Sequence, residues 1–427
     1  MHIILRKEGV IFMQYIIKGG NKLEGEIIAS GSKNASLPII AACILSGKTT
    51  TLYNVPNIND TKITLEILEL LGCKIIRKNG KIIIDSNNMN KTEIPIELMN
   101  KLRSSIILVG AIVGRFHEVV FSYPGGCDIG ARPIDLHIKA LKKIGINIEE
   151  ELGYIICKCE KIIGTDIHLD FPSVGATENI MLAATLAEGE TTITNAAMEP
   201  EIIDLQNFLN RMGAKINGAG TSCIRIQGVK NLKNTSYNIM PDRIEIGTFL
   251  CMAAVTGGNI LIKNVRNDDI KAIVYKLEET GANVNLENNQ VKIAGNRRLK
   301  AIEIKTLPYP GFPTDMQSVF GAMLTVAKGT SVIVENIFEN RFKYINELKK
   351  MGAKVIEEGN VAVIKGTRKL HPAQMTATDL RGGAAMCTAA LASNGISTIS
   401  NIEYILRGYE NFEKKLNSLN ANIRLAK

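Results

Sequence analysis

One short pattern recurs six times along the chain and constrains its fold more than any other feature. A small-residue turn leading into an apolar strand appears at Leu71-Gly72-Cys73-Lys74-Ile75, Ile144-Gly145-Ile146-Asn147-Ile148, Met212-Gly213-Ala214-Lys215-Ile216, Thr280-Gly281-Ala282-Asn283-Val284, Met351-Gly352-Ala353-Lys354-Val355 and Leu419-Asn420-Ala421-Asn422-Ile423. The turn residues stand at 72, 145, 213, 281, 352 and 420, spaced by 68 to 73 residues. Repetition at a fixed period means one supersecondary unit copied in series, here six units of about seventy residues.

Each unit ends an amphipathic helix at that glycine or asparagine, which suits a helix C-cap. Ile63 to Leu71, Leu136 to Ile144 and Phe342 to Met351 carry the apolar spacing of a helix with one buried face. A strand running to an asparagine precedes it at Gly47 to Asn54, Gly189 to Asn195, Gly258 to Asn264, Gly329 to Asn336 and Gly395 to Asn401. The second unit lacks this asparagine and has Pro124-Gly125-Gly126-Cys127-Asp128-Ile129-Gly130-Ala131-Arg132-Pro133 instead. Three glycines and two prolines exclude a helix interior or a long strand, so this is a shaped loop. In isolation it reads as a turn that contains a cysteine. Its place in the one irregular copy, with a thiol beside a carboxylate and a guanidinium, makes it a candidate site.

Each unit also has a helix that is apolar nearly all round and should be buried, from about Ala35 to Leu45, Ser104 to Val113, Ile180 to Ala187, Gly247 to Val255, Met316 to Ala327 and Gly382 to Ala392. Polar residues flank every N-terminus, where Ser, Thr and Asp read as N-caps. Lys33, Arg103, Arg243 and Arg381 do not, because a cation at a helix N-terminus opposes the helix dipole. Buried helices that share basic residues at their N-termini are expected to form a converging anion site. Single units cannot bury their own sheets, and three-plus-three is the simplest grouping into two similar domains with the active site in the cleft between them.

At 427 residues the chain is long enough for two or three domains. Lys plus Arg total 51 against 42 Asp plus Glu, a formal charge of +9 that favours an anionic partner. There is no Trp, aromatics are 5%, and no dense Lys/Arg block occurs, so a small phosphorylated substrate is expected and nucleic acid is not. The eight cysteines are scattered through apolar runs as reduced core residues, and the Cys157 and Cys159 pair reads as two residues of a strand. No apolar run reaches the ~18 residues of a membrane span, so no membrane association is expected. Residues 1–12 combine an apolar patch with Arg6, Lys7 and Glu8 and have no small-residue cleavage site, so they read as a loose extension or an upstream start before Met13. Ser46-Gly47-Lys48-Thr49-Thr50 imitates a phosphate-binding loop, but Ala42 stands where that motif requires glycine.

Several longer motifs carry a resemblance. Gly31-Ser32-Lys33-Asn34-Ala35, the Pro124 to Pro133 loop with Asp135 and His137 beyond it, Ser173-Val174-Gly175-Ala176-Thr177-Glu178-Asn179, Phe312-Pro313-Thr314-Asp315-Met316-Gln317, Phe338-Glu339-Asn340-Arg341-Phe342 and Arg407-Gly408-Tyr409-Glu410 together resemble the UDP-N-acetylglucosamine 1-carboxyvinyltransferases, the enolpyruvyl transferases of peptidoglycan synthesis. The resemblance runs from about Met13 to the C-terminus.

It implies an α/β fold of two inside-out α/β barrel domains, three repeats each, with the active site in the interdomain cleft. Residues 13–33 and 242–427 would form a discontinuous first domain and residues 34–241 the second, which carries the Cys127 loop. It implies a cytoplasmic enzyme of cell-wall biogenesis that needs no metal or organic cofactor, with a monomer expected. The substrates would be phosphoenolpyruvate and UDP-N-acetylglucosamine. The sugar 3-hydroxyl adds to C2 of phosphoenolpyruvate as C3 is protonated, and phosphate then leaves.

By the same resemblance, Lys33, Asn34, Arg103, Arg132, Arg381 and Arg407 surround phosphoenolpyruvate, whose two anionic groups demand several fixed cations. Asn34, Arg103, Arg132, Pro133, Asp135, Ser173, Val174, Gly175, Asp315 and Ile337 correspond to contacts of the sugar nucleotide. Cys127, Asp315 and Lys33 carry the chemistry, with Asp315 as base for the sugar hydroxyl and Cys127 as an acid or in product release, and as the site alkylated by fosfomycin. Spacing alone favours a different role for Asp315, a plain N-cap of the helix that follows. Glycine at 175 suits either a tight turn or backbone approach to a phosphate.

The chain departs from the pattern at two places. Leu406 stands where many members have an aspartate before Arg-Gly-Tyr, so a carboxylate orienting Arg407 is either missing or supplied from elsewhere. Phe171-Pro172 replaces a lysine-containing segment found in some members. The rival readings are the sister transferase that makes 5-enolpyruvylshikimate 3-phosphate, and a non-catalytic sugar-nucleotide-binding paralogue.

Overall fold

In a computed structural model of the chain, which describes residues 13–125, 129–130, 134–295 and 298–426, every turn residue of the repeat is left-handed. φ is 106° at Gly72, 93° at Gly145, 103° at Gly213, 86° at Gly281, 87° at Gly352 and 66° at Asn420. Glycine adopts this region freely and asparagine tolerates it, so the composition of the repeat is the composition of its C-caps. The asparagines that end the strands do a second job. Asn54, Asn195, Asn264 and Asn336 donate through Nδ2 to the carbonyls of Ile239, Leu169, Ala29 and Thr306, each the residue that follows the neighbouring parallel strand. The expected extension at residues 1–12 lies outside the described residues.

Among the described residues, five of the six sheets have four strands. In one, Thr49–Tyr53 pairs in parallel with Thr235–Asn238 and antiparallel with Lys81–Asp85, which in turn pairs with Lys74–Lys78. The second unit gives the exception, a three-stranded sheet of Glu118–Ser122, Tyr154–Lys158 and Asn147–Glu151. Its fourth strand is reduced to one bridge, Glu93 to Val120, because the chain turns at Pro95 into the short helix Ile96–Lys101.

Six helices lie inside these sheets: α1 (Lys33–Ala42), α2 (Ile107–Phe116), α3 (Val174–Ala184), α4 (Arg243–Thr256), α5 (Thr314–Leu324) and α6 (Leu380–Ala392). Their apolar residues face neighbours on all sides, so the helices form the core and the sheets form the outer wall. Two apolar cores result. One runs from Ala35 to Met240, and the other joins Tyr15, Ile17, Leu23, Ile27 and Ala29 to residues 244–423. The N-terminal strand Gln14–Gly19 sits between Gly395–Ser400 and Asn422–Ala426, so the two ends of the chain close one half.

The chain crosses between the cores twice, and the crossings pair. Ser32 N–H donates to Met240 O at 2.7 Å and Asp242 N–H to Ser30 O at 2.8 Å. Gly31 faces this junction, where a Cβ would lie 1.7 Å from Asn54 O, so glycine is required there.

Helix starts differ from the sequence expectation. α3 begins at Val174 rather than near Ile180, and α4 at Arg243 rather than Gly247. The expected polar flank Thr177-Glu178-Asn179 is therefore buried inside α3, and the true cap is Ser173, whose hydroxyl accepts from Ala176 N–H.

Candidate active site at the junction of the two cores

Ser32 begins the site. Its hydroxyl caps α1 by accepting from Ala35 N–H, which makes Lys33 and Asn34 the first helical residues. The Lys33 N–H donates to Asp242 Oδ2 at 3.0 Å, and its ammonium reaches Asp60 Oδ2 at 3.4 Å. Asp60 stands in the first turn of the helix Asn59–Leu70 with its carboxylate 1% exposed. Its other oxygen accepts from Arg407 Nε at 2.9 Å, so one buried carboxylate joins the cation at the start of α1 to a cation from the far end of the chain. Beside this pair, Asn57 N–H donates to Glu410 Oε1 at 2.9 Å.

Asp315 lies in the first turn of α5, but Pro313 occupies the N-cap and no side chain caps the helix. The N-cap expectation for Asp315 is thus wrong. Its carboxylate accepts from Arg341 Nη2 at 2.9 Å and from Arg381 Nη2 and Nε at 2.8 and 3.2 Å. Asp379 caps α6 by accepting from the Arg381 and Gly382 N–H groups, which fixes Arg381 where it meets Asp315. Arg381 also lies over the Tyr409 ring, 5.2 Å from its centroid.

Burial alone pushes the Asp315 carboxyl up, but Arg381, Arg341 and Lys33 outweigh it and hold it far below the usual carboxylate range. Burial pulls the Lys33 ammonium below the ordinary lysine value. Asp60 and Asp315 oppose that fall, and Arg381 and Arg407 add to it. These mutual effects put the two ion-pair groups in one field, so Lys33, Asp60, Asp315, Arg341, Arg381 and Arg407 form a single site.

Two expected cations are bonded elsewhere, although Arg243 lies in the field of Asp315. Arg243 is buried against Glu201 with Nε 3.0 Å from Oε1, because a guanidinium inside a core needs a local counter-charge. Arg103 opens the 3-10 turn Arg103–Ile106 and donates to Pro124 O at 3.4 Å, next to the irregular loop. Cys127, Asp128, Arg132 and Pro133 lie outside the described residues.

The remaining expected residues form a second group. Ser173 caps α3, which places Val174 and Gly175 at its N-terminus, and exposed Asp135 opens the helix Asp135–Lys143 that carries His137. Asn179 binds three partners across helices: Oδ1 accepts from Gly110 N–H at 2.7 Å, and Nδ2 donates to Ile106 O at 2.9 Å and to His137 Nδ1 at 2.7 Å. The backbone bond fixes the amide, so His137 carries its proton on Nε2. A Cβ at Gly175 would lie 3.1 Å from His137 Cε1, so glycine here makes room for the imidazole. Ile337 N–H donates to Glu335 Oε1 at 2.9 Å, and Asn340 N–H to Ile129 O at 3.0 Å, which ties this segment to the irregular loop.

Residues 17–416 match the model of a family described as EPSP synthase (3-phosphoshikimate 1-carboxyvinyltransferase). The chain belongs to the EPSP synthase family. Within this family it is similar to UDP-N-acetylglucosamine 1-carboxyvinyltransferase 2 of Caldanaerobacter subterraneus, 51% identical with 96% of this chain and 99% of the relative covered. UDP-N-acetylglucosamine 1-carboxyvinyltransferase 1 of Carboxydothermus hydrogenoformans is 48% identical, with 96% and 98% covered. Among solved structures, the enolpyruvyl transferase NikO from Streptomyces tendae shares the EPSP synthase family fold with a TM-score of 0.88 at 23% identity, over 97% of this chain and 99% of that one. EPSP synthase from Acinetobacter baumannii gives 0.77 at 21% identity over 97% and 100%. The expected fold class holds, and the protein is a transferase.

Asp60 and Arg341 were not assigned roles from sequence. Asp60 reads locally as an acid in the first turn of a helix, where the dipole favours it, and nothing nearby announces a partner at Arg407. Arg341 sits inside a motif quoted for the resemblance, between Glu339 and Lys343, where a charged residue stands out little.

Proposed function

We propose that the protein transfers the enolpyruvyl group of phosphoenolpyruvate to the 3-hydroxyl of UDP-N-acetylglucosamine with release of phosphate, in the cytoplasm, as a step of peptidoglycan synthesis. Four cations carry this reading: Lys33, Arg341, Arg381 and Arg407 are fixed around two carboxylates where the halves meet. A substrate with phosphate and carboxylate groups requires several such cations. The names of relatives at 48 to 51% identity support the sugar nucleotide as acceptor. No helix among the described residues is long and apolar enough to cross a membrane.

In this proposal Lys33, Asn34, Arg103, Arg132, Arg381 and Arg407 hold phosphoenolpyruvate. Asn34, Arg103, Arg132, Pro133, Asp135, Ser173, Val174, Gly175, Asp315 and Ile337 hold the sugar nucleotide, and the half-buried start of α3 offers N–H groups to its phosphates. Domains divide as 13–33 with 242–427, and 34–241. Asp315 takes the proton of the sugar hydroxyl as Arg381 turns from it toward the arriving anion, which weakens the grip that now makes the carboxylate a poor base. Cys127 meets the reacting carbons from the loop.

Phosphate release assayed with UDP-N-acetylglucosamine and with shikimate 3-phosphate tests the reading. Turnover is expected with the sugar nucleotide; turnover with shikimate 3-phosphate alone selects the sister activity, and none with either selects a binding protein. Fosfomycin is expected to add its mass at Cys127, and labelling of another cysteine would displace the proposed site.

A further inference from the structure

Leu406 precedes Arg407 and brings it no carboxylate, and the structure gives Arg407 one from the other half of the molecule. We propose that Asp60 is the positioning residue of the anion site: its two oxygens orient Arg407 and supply the counter-charge for Lys33, so that both cations stand ready for phosphoenolpyruvate. This rests on the functional reading above.

The geometry divides the work. Asp60 binds Arg407 at Nε, and because a guanidinium is planar, a bond there sets the plane of its other N–H groups. The second oxygen faces the Lys33 ammonium. Among the described residues, four charged groups act on that ammonium, Asp60, Asp315, Arg381 and Arg407, so without Asp60 two cations and one carboxylate of these remain. An acid at a helix N-terminus needs neither contact, and full burial of a carboxylate is costly unless its partners are present. Asp60 touches no reacting atom in this scheme; it acts through its two partners.

Inorganic phosphate binding by calorimetry from about pH 8 to 10.5 and steady-state phosphate release are measured for the wild type, Asp60→Asn, Asp60→Glu and Glu410→Gln. Asp60→Asn is expected to lose phosphate affinity about one pH unit earlier on the alkaline side, as Lys33 gives up its proton more easily. Its kcat falls at least about tenfold while KM for the sugar nucleotide stays within about twofold. Asp60→Glu keeps the charge but displaces Arg407, so it retains the wild-type alkaline limb with reduced kcat. Glu410→Gln, which removes the neighbouring charge across the cleft but keeps an amide oxygen for Asn57 N–H, leaves the limb in place.

An alkaline limb in Asp60→Asn that coincides with the wild type overturns the proposal, as does an unchanged kcat in Asp60→Glu, which also decides the matter where Asp60→Asn fails to fold. If the wild type releases no phosphate with either acceptor, the functional reading falls, and the calorimetric limb alone then upholds or overturns the role of Asp60.

Discussion

A carboxylate held by two buried guanidiniums stays ionised at any pH an enzyme meets, but it is a reluctant proton acceptor until one of them lets go. Asp315 is in that state, between Arg341 and Arg381. Asp315→Ala should therefore lower turnover by orders of magnitude, about 10²-fold or more as for loss of a general base, while leaving sugar-nucleotide binding nearly intact. Near-normal turnover removes Asp315 from the mechanism. The sign of the pH effect follows from the cations. They lower the Asp315 pKa, so the free wild-type protein has no acid limb from this group in the range of an ordinary carboxylate. Arg341→Gln removes one cation and lets the pKa rise, so an acid limb in kcat/KM should move up toward neutral pH. Superimposable pH–rate profiles for variant and wild type would show that Arg341 does not govern Asp315.

The α4 N-terminus shows how a local rule can be right and still mislead. A cation there opposes the dipole, a conflict that in sequence reads as a sign of anion binding; at Arg243 the conflict is resolved by buried Glu201. Glu201→Ala leaves the guanidinium without that partner and should cost about 3–5 kcal/mol in denaturant unfolding, whereas the double change to methionine at both positions should recover most of the loss. A destabilisation below about 1 kcal/mol would show that the pair contributes little. Nearby, burial first pushes the Asp269 carboxyl up to about 6, above its value in an unfolded chain. The stability this group contributes is present in acid and lost as pH rises through about 6, so Asp269→Asn should raise Tm by a few degrees at pH 8 and give no gain at pH 4. An equal shift at both pH values would mean that charge is not the cause. At this scale the sequence was most informative about the repeat: the helix-ending turns, strand-ending asparagines and buried helices are local patterns with local physical causes. The starts of α3 and α4 were missed because buried helices carry few polar landmarks inside the first turn. Asp60 was missed because its meaning depends on Arg407, which the fold brings to it from the far end of the chain.

The two halves meet through contacts of two kinds. On one side the paired crossings, with the buried Arg243–Glu201 pair and the half-exposed Arg266–Asp204 pair beside them, form a hinge. On the other, the described contacts are single polar ones: Asp60 with Arg407, Asn57 with Glu410, and Ile129 with Asn340. The Asn57–Glu410 and Ile129–Asn340 contacts are isolated ones that are each worth little, so apart from the buried Asp60–Arg407 pair little holds the cleft closed. A bound sugar nucleotide adds partners on both sides of the cleft and shifts the balance toward closure. Small-angle scattering should therefore show a radius of gyration that falls on addition of UDP-N-acetylglucosamine toward about 22 Å, the value for a compact chain of this length. Glu410→Ala should leave the liganded curve unchanged and expand the free protein, because it removes one cleft contact and none of the hinge. Identical scattering with and without the sugar nucleotide would mean that the cations of the two halves are assembled before the substrate arrives, and that Asp60 holds Arg407 in place permanently rather than on closure.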